Sequence, residues 1–441
     1  MAVIKFRSPH DNRINNEPYD DDDQSIYPDY ERDDYDGQSA GYDDAYDGGD
    51  YYEEEPAGKK GSGYEKKIRA HRFLIFLRTF LLVALIVGGA TAFFIWLETR
   101  TFTEAEYVKA ADLARSESAV YENLDGHLLV YTHDGASLMD AEGKTLWNIT
   151  YEMQRPLLAM SGNVAAIADY NGSTVYIVST KEYMGAISTN MPIRGIAVSE
   201  SGEVAAVLSD SDITWVYLFD VKGNPLAYFK TTMEQTGYPI GICVSPSGEL
   251  VCISHLRPGS DSVRSSVAFY NFGVVGQNVV DNYVSGYDFD GEVMPVVRFL
   301  TGDTVFGVSD SRIAFFTGKE IPQNTANTMF DENLLGVYYG DGYAALLFPD
   351  MTGEERYRLD VYTSKGEKKS SIRFAMDFTQ IQIASDQIII NNGQECAVYN
   401  TAGEKKYEGN FGREVSAVIP TSKQGKFLVI TGGIVEKMTL K

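Results

Sequence analysis

A polar turn flanked by two short apolar strands returns eight times between residues 118 and 441. SESGEVAAVL (199–208) matches SPSGELVCIS (245–254), and looser copies sit at SGNVAAI (161–167), TGDTVF (301–306) and DGYAAL (341–346). Three more follow the same form, DGHLL (125–129), SDQII (385–389) and QGKFL (424–428). The turns centre near 126, 162, 202, 248, 302, 342, 386 and 425, with a mean spacing of about 43 residues. A sustained period of that size belongs to stacked or radial repeats, and about 40–45 residues fits a four-stranded propeller blade. A second hairpin completes several units, at YLFDVKG (217–223), VYTSKG (361–366), VYNTAG (398–403) and LMDAEG (138–143). Two hairpins give four antiparallel strands per unit, labelled A to D from the centre outward. The expectation is therefore an all-β, β-propeller fold over 118–441, with eight blades preferred and seven as the alternative, since the last unit ends after a third strand. A radial array leaves only short sheet edges exposed.

The residues ahead of the repeat are of two other kinds. Residues 1–55 hold 18 Asp/Glu against four Lys/Arg, and large aliphatic side chains nearly vanish between 10 and 58. Such a segment buries too little apolar surface to offset chain entropy, so 1–64 is expected to be a disordered acidic tail. It carries eight tyrosines, from Tyr19 to Tyr52, which would suit a phosphorylation or docking tail. Residues 79–97 then run nineteen positions without a charge, in an apolar stretch that begins at Phe73. At about 1.5 Å per residue this crosses a hydrocarbon core, so 73–97 is expected to be a transmembrane helix in contact with the lipid bilayer. Seven Lys/Arg precede it between Lys59 and Arg78, and three follow, Arg100, Lys109 and Arg115. That bias places the N-terminus in the cytoplasm and the C-terminal repeat outside a single-pass cell-membrane protein. Thr103 and Glu106 have capping-box spacing, and 98–117 is expected to form a short helical stalk.

Chemistry-bearing patterns are sparse. Residues 79–441 carry a net charge of −16, which argues against nucleic acid as a partner. His127 and His133 lack the Cys or carboxylate spacing of a zinc site, and no cofactor, metal or catalytic residue is expected. Carboxylates are plentiful, but nothing singles out two of them. Cys243 and Cys252 stand directly opposite in one hairpin whichever loop length is assumed, and are expected to be buried packing residues without a bridge. Elaborated connections are the stronger functional signal. His255–Ser265 reads as a long B–C loop, Gln277–Val293 as a long D–A connection and Phe348–Arg356 as a second long B–C loop. Their candidate binding residues are His255, Arg257, Asp261, Arg264, Tyr283, Tyr287, Phe289 and Arg356.

GKTLWNITYEM (143–153), SGEVAAVL (201–208), SSVAFYNFGVVGQN (265–278), ERYRLDVYTSKGE (355–367) and IPTS (419–422) carry a resemblance over 139–440. The stretch resembles an uncharacterised family of single-pass membrane proteins from clostridia and related Gram-positive bacteria, with a WD-repeat-like or quinoprotein-like propeller ectodomain. The resemblance implies fold and placement, and brings no site residue. Trp147 sits in a stretch that looks like the repeat of quinone-dependent dehydrogenases, but the only other tryptophans are Trp96 and Trp215, so it reads as blade packing. The expected role is non-enzymatic binding or scaffolding for an envelope protein or wall polysaccharide. The alternative is a signalling link that couples ectodomain binding to the tyrosine-rich tail.

Overall fold

The computed structural model of the protein describes residues 62–114, 116, 118–210, 213–259, 262–353 and 355–441. Most of the acidic tail therefore lies outside the described residues. The chain divides into two units, with the boundary at Arg100. In the first, one helix runs Ser62–Thr99, and its stretch Lys67–Phe93, of mean hydropathy 2.4, is long and apolar enough to cross a membrane. It begins earlier than expected because the basic run through Lys66, Arg69 and Arg72 is made of good helix formers. Thr79 and Thr91 donate their hydroxyls back to the carbonyls of Ile75 (2.9 Å) and Val87 (3.0 Å), so neither needs a partner outside the helix.

In the second unit the described residues form eight four-stranded antiparallel sheets. Seven are continuous: blade 1 (120–150), blade 2 (156–188), blade 3 (193–231), blade 4 (238–290), blade 5 (296–329), blade 6 (336–374) and blade 7 (380–410). Blade 8 takes strands A to C from 417–440 and its outer strand from Ala105–Asp112. Strand A of blade 8 lies against strand A of blade 1, which closes the ring. The outer strand pairs from Ala105↔Leu440 to Asp112↔Ile434, with a bulge between Lys109 and Ala111. This corrects the helical stalk expected over 98–117. AEYVKAAD has helical propensity, yet the edge of Ile434–Leu440 offers a full ladder. The Tyr107 ring also packs beneath the Arg413 guanidinium, 5.2 Å from its centroid. Tertiary pairing overrides local preference here.

The A–B turns are two to five residues long. In blades 1 and 6 they are the two-residue loops Asp125–Gly126 and Asp341–Gly342, with φ of 49° and 77°, and of 48° and 81°. Two successive left-handed residues match the twist of the flanking strands, which is why Asp-Gly recurs. Each neighbouring pair of blades shares its own apolar cluster. Phe269 of blade 4 meets Phe316 of blade 5 with centroids 5.4 Å apart, and Trp147 of blade 1 donates its indole N–H to Ser179 O of blade 2 at 2.7 Å. Trp147 thus ties blades together, as its isolation in the sequence indicated. Cys243 pairs with Cys252 in the expected register, and both are buried free thiols.

Candidate binding faces and the central channel

Strand direction gives the ring two unlike faces. The A–B and C–D turns lie on one; the B–C and D–A connections lie on the other. Blade 4 is the outlier on both. Its strands B and C, Leu250–Pro258 and Val263–Asn271, are nine residues each, longer than any others in the ring. The expected loop 255–265 is thus mostly paired strand, in register through Arg257↔Arg264 and Pro258↔Val263. The expected D–A connection 277–293 is also revised. Its centre, Tyr283–Asp290, is strand D, so the true D–A connection is 291–295. The eleven-residue C–D connection, 272–282, falls on the opposite face and exposes Val274 and Val280. The alternation YVSGYDFD was the available strand signal, masked by its glycine and aspartates.

This rearrangement sorts the predicted residues. Arg257 donates to Asp288 at 2.9 Å, and Arg264 pairs with both Asp288 and Asp290. The two arginines and two aspartates form one charged network at the raised end of blade 4. Tyr283 lies on this side of the sheet, beside Tyr270. Tyr287 and Phe289 lie on the other side, both against Phe316 of blade 5. Tyr287 also donates to Pro322 O at 3.0 Å, and Phe289 lies under the Arg312 guanidinium at 5.2 Å. Arg312 is in turn held by Glu292 at 2.7 Å. The structure therefore makes Tyr287 and Phe289 packing residues, rather than an aromatic ligand surface. His255 is only 2% exposed, opposite Ser266 in the ladder, and its Nε2 has no hydrogen-bond partner. Burial pushes its pKa down to about 4, the charge of Arg257 adds to that effect, and a hydrogen bond with the Ser266 backbone opposes it. Asp261 lies outside the described residues. Arg356 is two blades away, in the B–C loop 350–356 of blade 6, paired with Asp377. That loop alone of the three has the form expected. Asp350 anchors it by accepting from the backbone N–H groups of Thr352 (3.2 Å) and Glu355 (3.3 Å).

Sequence reasoning passed over two features. The first is an apolar cavity of about 460 Å³ on the B–C/D–A face, lined by Val293, Pro295, Val296, Leu334, Leu335 and neighbours from blades 4 to 6. On the same face Met351 is 77% exposed, Met329 59%, Met233 53% and Leu335 44%. The signal was scattered over several connections, and no single stretch of sequence shows it. The second is a cavity of about 400 Å³ in the central channel, bounded by strands A of blades 2 to 6. Arg298, in the apolar strand Val296–Phe299, faces it. An arginine between valine and phenylalanine on an innermost strand was legible, had the strand been placed. Among the described residues, no group of three His, Cys, Asp or Glu side chains is arranged to hold a metal ion.

A family model described as Family of unknown function (DUF5711) matches residues 98–440. No curated relative matches the chain in sequence. Among solved structures, Chaetomium thermophilum Sqt1 bound to the N-terminus of ribosomal protein L10 is 11% identical with a TM-score of 0.48, covering 76% of this chain and 99% of that one. BamB from Moraxella catarrhalis is 11% identical at a TM-score of 0.44, covering 76% and 98% respectively. The propeller assignment rests on the strand pairing itself.

Proposed function

This chain belongs to the family of unknown function DUF5711, and we propose that it is a membrane-anchored, non-enzymatic binding module for an envelope protein. In this reading the apolar helix holds the chain in the lipid bilayer, with its N-terminus cytoplasmic and its propeller extracytoplasmic. The helix and the excess of Lys/Arg on its N-terminal side support that placement.

One observation carries the binding role. The B–C/D–A face combines an apolar cavity with exposed methionines and a leucine, beside the raised charged hairpin of blade 4. Scattered exposed apolar side chains are ordinary, but several on the same face as an apolar cavity, with Leu335 lining the cavity itself, favour an interaction surface. Methionine adapts its shape to a partner, and the arginine–aspartate network would set orientation at the rim. These features favour a protein partner over the wall polysaccharide that the sequence left open.

Photo-crosslinking in intact cells tests this. A photoreactive residue at position 351 or 335 is expected to form a covalent adduct with a defined envelope protein. The same residue at position 280, on the opposite face, is expected to form none. Adducts from position 280 alone, or from no position, would contradict the proposal. Adducts from 351 and 335 that disappear on digestion of the cell wall would reassign the partner to wall polymer.

A further inference from the structure

We infer that the central channel holds a ligand site for a small molecule bearing one oxyanion group, with Arg298 as its anchor. Arg298 is half-buried on an innermost strand and makes no ion pair among the described residues. Its Nε donates to Tyr339 Oη at 3.1 Å, and its Nη1 to Val297 O at 2.8 Å and Ile242 O at 3.5 Å. These contacts fix the plane of the guanidinium without neutralising it. Nη2 makes no hydrogen bond among the described residues, and Arg298 lines the channel cavity. A guanidinium stays charged at any physiological pH, and no carboxylate among the described residues lies within ion-pair distance of this one. Its planar fork matches a carboxylate or a phosphate. Tyr339 strengthens the match. Its oxygen already accepts from Arg298, which leaves its own proton free to donate to the same anion.

The surroundings narrow the ligand. Ala159, Ile196 and Phe299 add apolar patches to a cavity otherwise lined by polar groups such as Ser161, Thr301 and Tyr339, so the body of the ligand is small and pairs a short apolar stem with polar groups. Glu200 and Asp341 line the same cavity. Their charges disfavour a second anionic group and tolerate a cationic one, so a monocarboxylate or an ω-amino acid fits better than a dicarboxylate. This site is separate from the face proposed to bind an envelope protein, and neither reading depends on the other.

Equilibrium dialysis of the full chain in detergent tests the inference, with butyrate, 4-aminobutyrate, inorganic phosphate and the neutral butyramide as probes. Saturable binding of about one butyrate or 4-aminobutyrate per chain is expected, with butyramide at least tenfold weaker. Phosphate bound in their place would support the oxyanion site and assign it to a phosphate ester. Arg298→Gln is expected to lose at least tenfold in affinity for whichever oxyanion binds. Arg298→Met separates a binding arginine from a structural one, because it removes the charge and keeps a flexible side chain that can pack in the same place. Its melting temperature without probe is expected to equal or exceed that of the wild type, and to stop responding to butyrate. The inference is overturned by equal binding of butyramide, by undiminished binding in Arg298→Gln, or by the absence of saturable binding of every oxyanion probe.

Discussion

His255 sits buried beneath a charged hairpin, and its neutral imidazole couples stability to pH. Its folded pKa of about 4 lies below the ordinary 6.5. As pH falls, the unfolded chain takes up the proton first. The stabilising contribution is complete above about 6.5, erodes between about 6.5 and 4, and is lost below, a change of about 3 kcal/mol. Urea midpoints at pH 7 and pH 4.5 are expected to differ by less in His255→Leu than in the wild type. An unchanged difference would show that His255 is not the group responsible. The three cysteines make a second prediction. Burial raises the Cys252 thiol and pushes Cys396 up to about 12. Since the thiolate is the reactive species, the native chain is expected to react with no thiol reagent on the timescale in which the denatured chain reacts at all three positions. A count of one after denaturation would reveal a bridge between Cys243 and Cys252. The opposition of these two was legible because shortening a hairpin loop symmetrically leaves its pairing unchanged. The sidedness of Tyr287 and Phe289 was not legible, because it depends on where strand D begins.

Among elements, the strand that closes blade 8 matters most. Ala105–Asp112 comes from the start of the propeller segment and completes a blade whose other strands come from its end. A chain beginning at residue 114 lacks this strand. It loses the burial of Tyr107 and its neighbours, worth at least about 3 kcal/mol, and exposes the edge of Ile434–Leu440. It is expected to melt lower than a chain beginning at residue 100 and to self-associate, and a peptide of residues 100–113 should reverse both. Equal melting of the two chains would mean that the closing strand contributes nothing. The missing fourth strand of the last unit was visible in the sequence. Its source was not, because ladder pairing joins residues more than 300 positions apart and leaves no local pattern. The A–B turns were legible for the converse reason. Asp125–Gly126 and Asp341–Gly342 state their own backbone geometry, and eight polar turns at a mean spacing of about 43 residues gave the ring. In blade 4 the reading was weakest, since its longer strands carry charged and polar residues where loops usually do.

At the scale of the whole molecule, the proposal joins an apolar helix to a propeller with two unlike faces and a channel. The candidate surface was the least legible part. Met233, Leu335 and Met351 belong to connections of different blades, and only closure of the ring puts them on one face. The envelope-partner reading depends on which side of the membrane the ring occupies. The most direct measurement places a site for a specific protease in the linker between Thr99 and Ala105 and adds that protease to intact cells. The account predicts that the propeller is released into the medium while an epitope on the acidic tail stays cell-associated and protected. Retention of the propeller, with external loss of an equally accessible protease site in the tail, would reverse the orientation and contradict the account.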